Sequence, residues 1–127
     1  MIAEIRRKLI ELARSKSTWS YSQLNDQLDL KLEFGKRVYD RILIGDWLEE
    51  VSIHEFERNR PLLSALIIHK GPDKEQGNGF YKLCEKLYNI PWQELKGKPD
   101  FEIEKIKECF SFWKDNENFR QYKDDYI

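Results

Sequence analysis

Ile2, Ile5, Leu9 and Leu12 recur at steps of three and four, with Ala13 on the same face, while Arg6, Arg7, Glu11 and Arg14 point elsewhere. That period predicts an amphipathic helix over residues 2–16. Ser20-Tyr21-Ser22-Gln23 has the reciprocal spacing of a capping box and predicts a short helix over 21–28. Thr18-Trp19 in front of it reads as a brief extended segment. Leu28, Leu30, Leu32 and Phe34 alternate with Asp29, Lys31 and Glu33. The period is that of a strand, but between two helical stretches it reads as a loop that plugs the core. A third helix follows Gly35, with Val38, Ile42 and Leu48 on its apolar side and Tyr39, Ile44 and Trp47 broadening it. Ser52-Ile53-His54-Glu55 is a second capping-box pattern, which predicts a break near Val51 and a restart to Arg58.

Pro61 biases Arg60 toward extended backbone. The run Leu62 to His69 is apolar on both faces and predicts a buried strand. Gly71 to Gly79 is polar and glycine-rich, an exposed connector expected to be the most mobile internal segment. Phe80, Leu83, Cys84 and Leu87 mark a further helix that ends at Asn89 and Pro91, and 93–99 reads as a linker. Asp100 can cap a helix whose stripe is Ile103, Ile106, Phe110 and Trp113. Polar residues 115–118 interrupt it, and Phe119, Tyr122 and Tyr126 resume helical spacing. The pattern predicts an α+β, mostly helical chain of one domain, with 100–127 as a C-terminal helical extension.

Composition changes this picture little. The 127 residues are 40% hydrophobic and 35% charged, against about 45–50% and about 25% in typical domains. Four Trp, six Tyr and seven Phe supply enough apolar surface for a packed core. Basic and acidic residues nearly cancel, 22 against 23, so no overall field advertises a nucleic-acid or membrane partner. No apolar run approaches a membrane span, and the N-terminus lacks the order of a signal peptide, so a cytoplasmic location is expected. Cys84 and Cys109 belong to no CxxC pair and read as reduced, buried thiols.

The order helix, short Thr-Trp-Ser segment, helix, helix, strand, loop over residues 1–88 resembles the front half of a winged helix. That resemblance implies three packed helices closed by a small sheet, with the third helix free to enter a major groove. A standard wing returns a second strand from the loop, whereas Phe80-Tyr81-Lys82-Leu83 reads as helix. The segment from Arg60-Pro61-Leu62-Leu63-Ser64-Ala65 through Ile67-Ile68-His69-Lys70 to Gly77-Asn78-Gly79-Phe80 resembles one found in small uncharacterised bacterial proteins, and brings no assigned reaction. A fainter likeness is to the DNA-binding domain of alkyltransferase-like proteins. Their reactive segment has no match, since Pro91-Trp92 is followed by Gln93-Glu94, so alkyl transfer is not implied.

Candidate chemistry is sparse. Backbone N–H groups near Gly77 and Gly79, with His69 and Lys70, could cradle an anion. The Walker pattern fails there, and Asp73 and Glu75 would repel phosphate. Two histidines and two cysteines at wide spacing make no zinc set, so no metal and no cofactor are expected. Ser64 and His69, five apart in an extended run, would be about 16 Å apart and cannot act as nucleophile and base. Asp73, Asp100 and Glu102-Ile103-Glu104-Lys105 miss the nuclease spacing that holds a divalent ion. No catalytic residue is assigned.

Lys36, Arg37 and Arg41 open the third helix and are the nucleic-acid-binding candidates, opposed by Asp40, Asp46, Glu49 and Glu50 on the same element. Arg6, Arg7 and Arg14 add charge from the first helix. Seven aromatics fall in residues 101–127, and Trp113 is expected in the core. Phe119, Tyr122 and Tyr126 are the candidates for binding a protein partner or a second copy. The reading is a non-catalytic binding module, with DNA the leading partner. Protein interaction or inhibition through the C-terminal aromatics, and phosphate or nucleotide binding at the glycine-rich loop, are the alternatives.

Overall fold

The computed structural model describes residues 1–69 and 76–126. The expected mobile loop, and with it the anion candidate Lys70, falls mainly outside the described residues. In order, the chain forms α1 (Ile2–Arg14), β1 (Trp19–Ser20), α2 (Tyr21–Gln27), α3 (Val38–Phe56), a 3-10 turn (Leu63–Leu66), β2 (Ile67–Ile68), α4 (Asn78–Tyr88), α5 (Trp92–Lys96), α6 (Phe101–Lys114) and α7 (Asn116–Tyr122). Strands β1 and β2 pair in parallel, Trp19 with Ile67 and Ser20 with Ile68. The fold is mostly helical α+β, as the hydrophobic pattern predicts.

Two local expectations are met closely. The capping box at α2 forms in full: Gln23 N donates to Ser20 Oγ at 3.2 Å, and Ser20 N donates to Gln23 Oε1 at 2.8 Å. Residues 28–37 form no strand. Leu30 is buried, and Leu28, Leu32 and Phe34 pack on the core as the plug that their alternation left open. Asn25 ties the plug down, donating from Nδ2 to the Leu32 carbonyl and accepting from Leu32 N.

Other elements differ from the sequence pattern, each for a tertiary reason. Helix α3 does not break at Val51. Ser52 lies buried in mid-helix, its Oγ donating to Ser64 Oγ at 2.6 Å and accepting from Ser64 N at 3.0 Å. The hydroxyl that would have capped a new helix serves the neighbouring turn instead. The run 62–69 is buried through Ile68 as expected, but it coils into a 3-10 turn and only two residues pair as strand. Part of the expected linker 93–99 is the short helix α5, started by Pro91 and anchored by Leu95 in the core. Asp115, read as part of a polar break, N-caps α7 by accepting from Asn118 N at 3.0 Å.

The largest core cluster unites Ile5, Leu9 and Leu12 of α1 with Leu24, Ile44, Leu48, Val51, Leu63, Leu66, Cys109 and Trp113. A second cluster joins Leu62 and Ala65 to Phe80, Tyr81, Cys84, Leu95 and Phe101. Helix α6 is therefore part of the core, packed on α1 and on the 3-10 turn, with Phe119 and Tyr122 of α7 packed against it. Helix α6 buries Phe101, Cys109 and Trp113 and turns Ile103, expected in its core stripe, half out to solvent. Both cysteines are buried free thiols; burial pushes the Cys84 thiol up to about 12 and the Cys109 thiol further in the same direction.

A group of buried charges ties α1, α3 and the C-terminal end together. Arg6 Nε donates to Glu55 Oε2 and Arg60 Nε to Glu55 Oε1, both at 2.8 Å. Arg6 also donates to the carbonyls of Tyr122 at 2.8 Å and Lys123 at 3.0 Å. Arg60 Nη1 donates to Asp125 Oδ2 at 2.8 Å. Arg6, placed by its helical phase on the polar side of α1, is fully buried here because Glu55 and two main-chain carbonyls satisfy its donors.

Candidate nucleic-acid interface

Helix α3 points Ile44, Leu48 and Val51 inward, together with Asp40, Ser52 and Glu55. The apolar part of that face starts at Ile44, and in the first turn only Asp40 turns inward, so the apolar side chains at the opening of the helix are left out of the core. Val38 is 71% exposed, Tyr39 69% and Ile42 54%. The apolar pattern placed Val38 and Ile42 on the core side; the helix is rotated so that Ile44, Leu48 and Val51 meet α1 and the 3-10 turn instead. These three exposed side chains are the feature that sequence reasoning missed.

The predicted basic residues flank the same surface. Lys36, Arg37 and Arg41 are all exposed. Arg37 lies 3.3 Å from carboxylate oxygens of both Glu33 and Asp40. Arg41 Nε donates to the Phe34 carbonyl at 2.9 Å, which fixes the side chain and keeps its charge at the surface. Lys36 has no ion pair among the described residues. Asp40, counted from the sequence as an opposing surface charge, is buried and accepts from Glu33 N at 2.8 Å, folding the 33–37 turn onto the start of α3. Asp46 and Glu50 remain exposed further along the helix, and Glu49, half-buried, pairs with Lys86.

Arg41 and Ile42 also border a cleft of about 250 Å³ between α2, α3 and α4, lined further by Tyr21, Asp46, Ser64 and Phe80. Burial raises the Tyr21 phenol above its usual value.

The other predicted residues lie elsewhere. Gly79 borders the same cleft, opposite two acids, Asp46 and Glu49. Gly77 precedes α4 at φ −80, so no positive φ requires glycine there. Its reason is closeness: a Cβ would lie 2.3 Å from Nε2 of His69, whose ring also contacts Tyr21 at 5.3 Å between centroids. Ser64 has its hydroxyl partner in Ser52, not in His69. No group of three potential metal ligands occurs among the described residues, and no described helix is long and apolar enough to cross a membrane.

The C-terminal aromatics pack within the chain and are half-buried. Phe119 lies under the Arg14 guanidinium at 4.1 Å. Tyr122 stacks on Phe112 and lies under Arg60 at 4.9 Å. Tyr126 meets His54 edge-on and its hydroxyl bonds Glu50 at 3.2 Å. His54, read as a solvated first-turn residue, is enclosed by this tail and bonds the Asp125 carbonyl at 2.8 Å. Of the α1 arginines, Arg6 is buried, Arg14 is committed to the Trp113 carbonyl and Asn116, and Arg7 is exposed.

No protein-family model, no curated protein and no solved structure matches the chain.

Proposed function

We propose that this chain is a non-catalytic nucleic-acid-binding module of winged-helix-like design, acting through the exposed opening of α3. The observation that carries this reading is that Lys36, Arg37 and Arg41 surround large side chains the fold leaves in solvent, 71% of Val38 and 69% of Tyr39. Asp40 is turned inward, where it accepts from Glu33 N and pairs with Arg37, so Lys36 and Arg41 are the cations it leaves facing solvent. Residues 1–88 would supply the recognition element, and α6 and α7 would brace it from behind. Phe119, Tyr122 and Tyr126 are better explained as parts of that brace than as partner anchors.

The test is duplex binding at low salt, followed by fluorescence anisotropy. Lys36→Glu with Arg41→Glu should abolish it, while Arg7→Glu on exposed α1 surface should change it little. All three residues are exposed, so melting temperatures should stay close to wild type. A wild-type chain that binds no nucleic acid at low salt refutes the reading.

A further inference from the structure

We propose that the α3 face recognises nucleic acid at unpaired or unstacked bases, seating Val38, Tyr39 and Ile42 against exposed base faces. This deepens the reading above and rests on it. Reading base edges in an intact duplex uses Arg or Lys on guanine and Asn or Gln on adenine. The first two turns of α3 run Val38-Tyr39-Asp40-Arg41-Ile42-Leu43-Ile44-Gly45 and contain no Asn, Gln, Ser or Thr. Asp40 is buried, and Arg41 has its Nε committed to the Phe34 carbonyl. Lys36 and the free Nη groups of Arg41 could meet a guanine edge at the rim, but the centre of the surface, Val38, Tyr39 and Ile42, carries exposed apolar area and no group that reads adenine.

Paired bases hide their faces in the stack, so an intact duplex offers this patch little beyond sugars and thymine methyls. An unpaired base presents a π-face on which Tyr39 can stack, and a yielding step admits Val38 and Ile42 as a wedge. Charge selects a polyanion over an apolar protein surface, because Lys36 and Arg41 border the patch without a carboxylate partner among the described residues, while Arg37 is offset by Glu33 and Asp40. The charge also limits the footprint. Glu33 sits beside Arg37 at one edge, and Asp46, Glu49 and Glu50 begin just past the patch, so only Lys36 and Arg41 at the opening of α3 are left to approach phosphates. A short footprint suits a local defect better than a long duplex.

The experiment compares three labelled probes with the full chain at low salt: a paired duplex, the same duplex carrying an unpaired bulge, and one of its strands alone. The bulged and single-stranded probes should bind on the order of tenfold more tightly than the paired one. Replacing Val38, Tyr39 and Ile42 together by Ser should erase that preference and leave weak, salt-sensitive binding to all three probes. Equal affinity for paired and bulged probes, or a preference that survives the Ser variant, overturns the inference and leaves the proposed function standing. A concentration-dependent dimer lost in the Ser variant would assign the face to a second copy and overturn it too. Absence of binding to every probe defeats the proposed function itself, and the inference with it.

Discussion

Glu55 has no solvent to share its charge. Its two oxygens accept from Arg6 and Arg60, and no part of it is exposed. Replacing it by Gln leaves two guanidinium groups buried beside a neutral amide. Loss of one partner of a buried pair costs roughly 3–5 kcal/mol. Glu55→Gln should therefore unfold at far lower denaturant concentration than wild type, read by far-ultraviolet circular dichroism. His54 gives the same region a pH dependence. Burial depresses the imidazole below its usual 6.5, with the Asp125 carbonyl bond opposing that shift. The carbonyl only accepts, so the neutral ring carries its proton on Nε2. A depressed folded pKa means that the unfolded chain takes up the proton first. The contribution is complete above 6.5 and is lost as pH falls through the lower folded value. Asp125, pulled below 3.8 by its bond to Arg60, adds a second loss of the same sign in stronger acid. Melting temperature should fall as pH drops from about 7 to about 5, and His54→Gln should flatten that first decline.

At the scale of elements, α7 and the segment after it act as a strap across α1 and α3. Arg14 holds the strap's start through Asn116, and Arg6, Arg60 and His54 hold its end. Chain truncation after Asn116 removes the acceptors of two Arg6 donors and the carboxylate facing Arg60. Buried donors left without partners cost about 1–3 kcal/mol each, more for charged groups. The truncated chain should be severely destabilised or unfolded in thermal denaturation, whereas an independent binding arm could be removed without such a loss. A truncated protein that melts with the wild type would show the strap to be ornamental.

For the whole molecule, a net charge of −1 means that any nucleic-acid affinity must come from a local patch. With Lys36, Arg37 and Arg41 as the cations in reach, at most three phosphates are neutralised on a duplex. The slope of log affinity against log salt should be no steeper than about −2.7. A titration between low and physiological salt measures it. A much steeper slope would require a second basic surface, and exposed Arg7 on α1 would be the first residue to test.

Short-range physics made much of this molecule legible from the chain alone. The capping box at Ser20–Gln23, the apolar face of α1, the plug at 28–34 and the buried places of Trp113 and the two cysteines follow from periodicity, side-chain size and local hydrogen bonding. Lys36, Arg37 and Arg41 could be named because exposed charge at a helix opening is itself a sequence feature. Choices between competing burials were decided only in the tertiary structure. Periodicity shows that α3 has several apolar positions but not which of them α1 and the 3-10 turn will cover, so Val38 and Ile42 were placed on the wrong side. A capping pattern at Ser52 is indistinguishable in sequence from a serine that bonds Ser64 twelve positions away. The burial of Arg6 depends on Glu55 and on carbonyls of Tyr122 and Lys123, separated from it by most of the chain. Local sequence encodes preference within a turn or two. Which side chain loses its water is set by partners that only folding brings into contact.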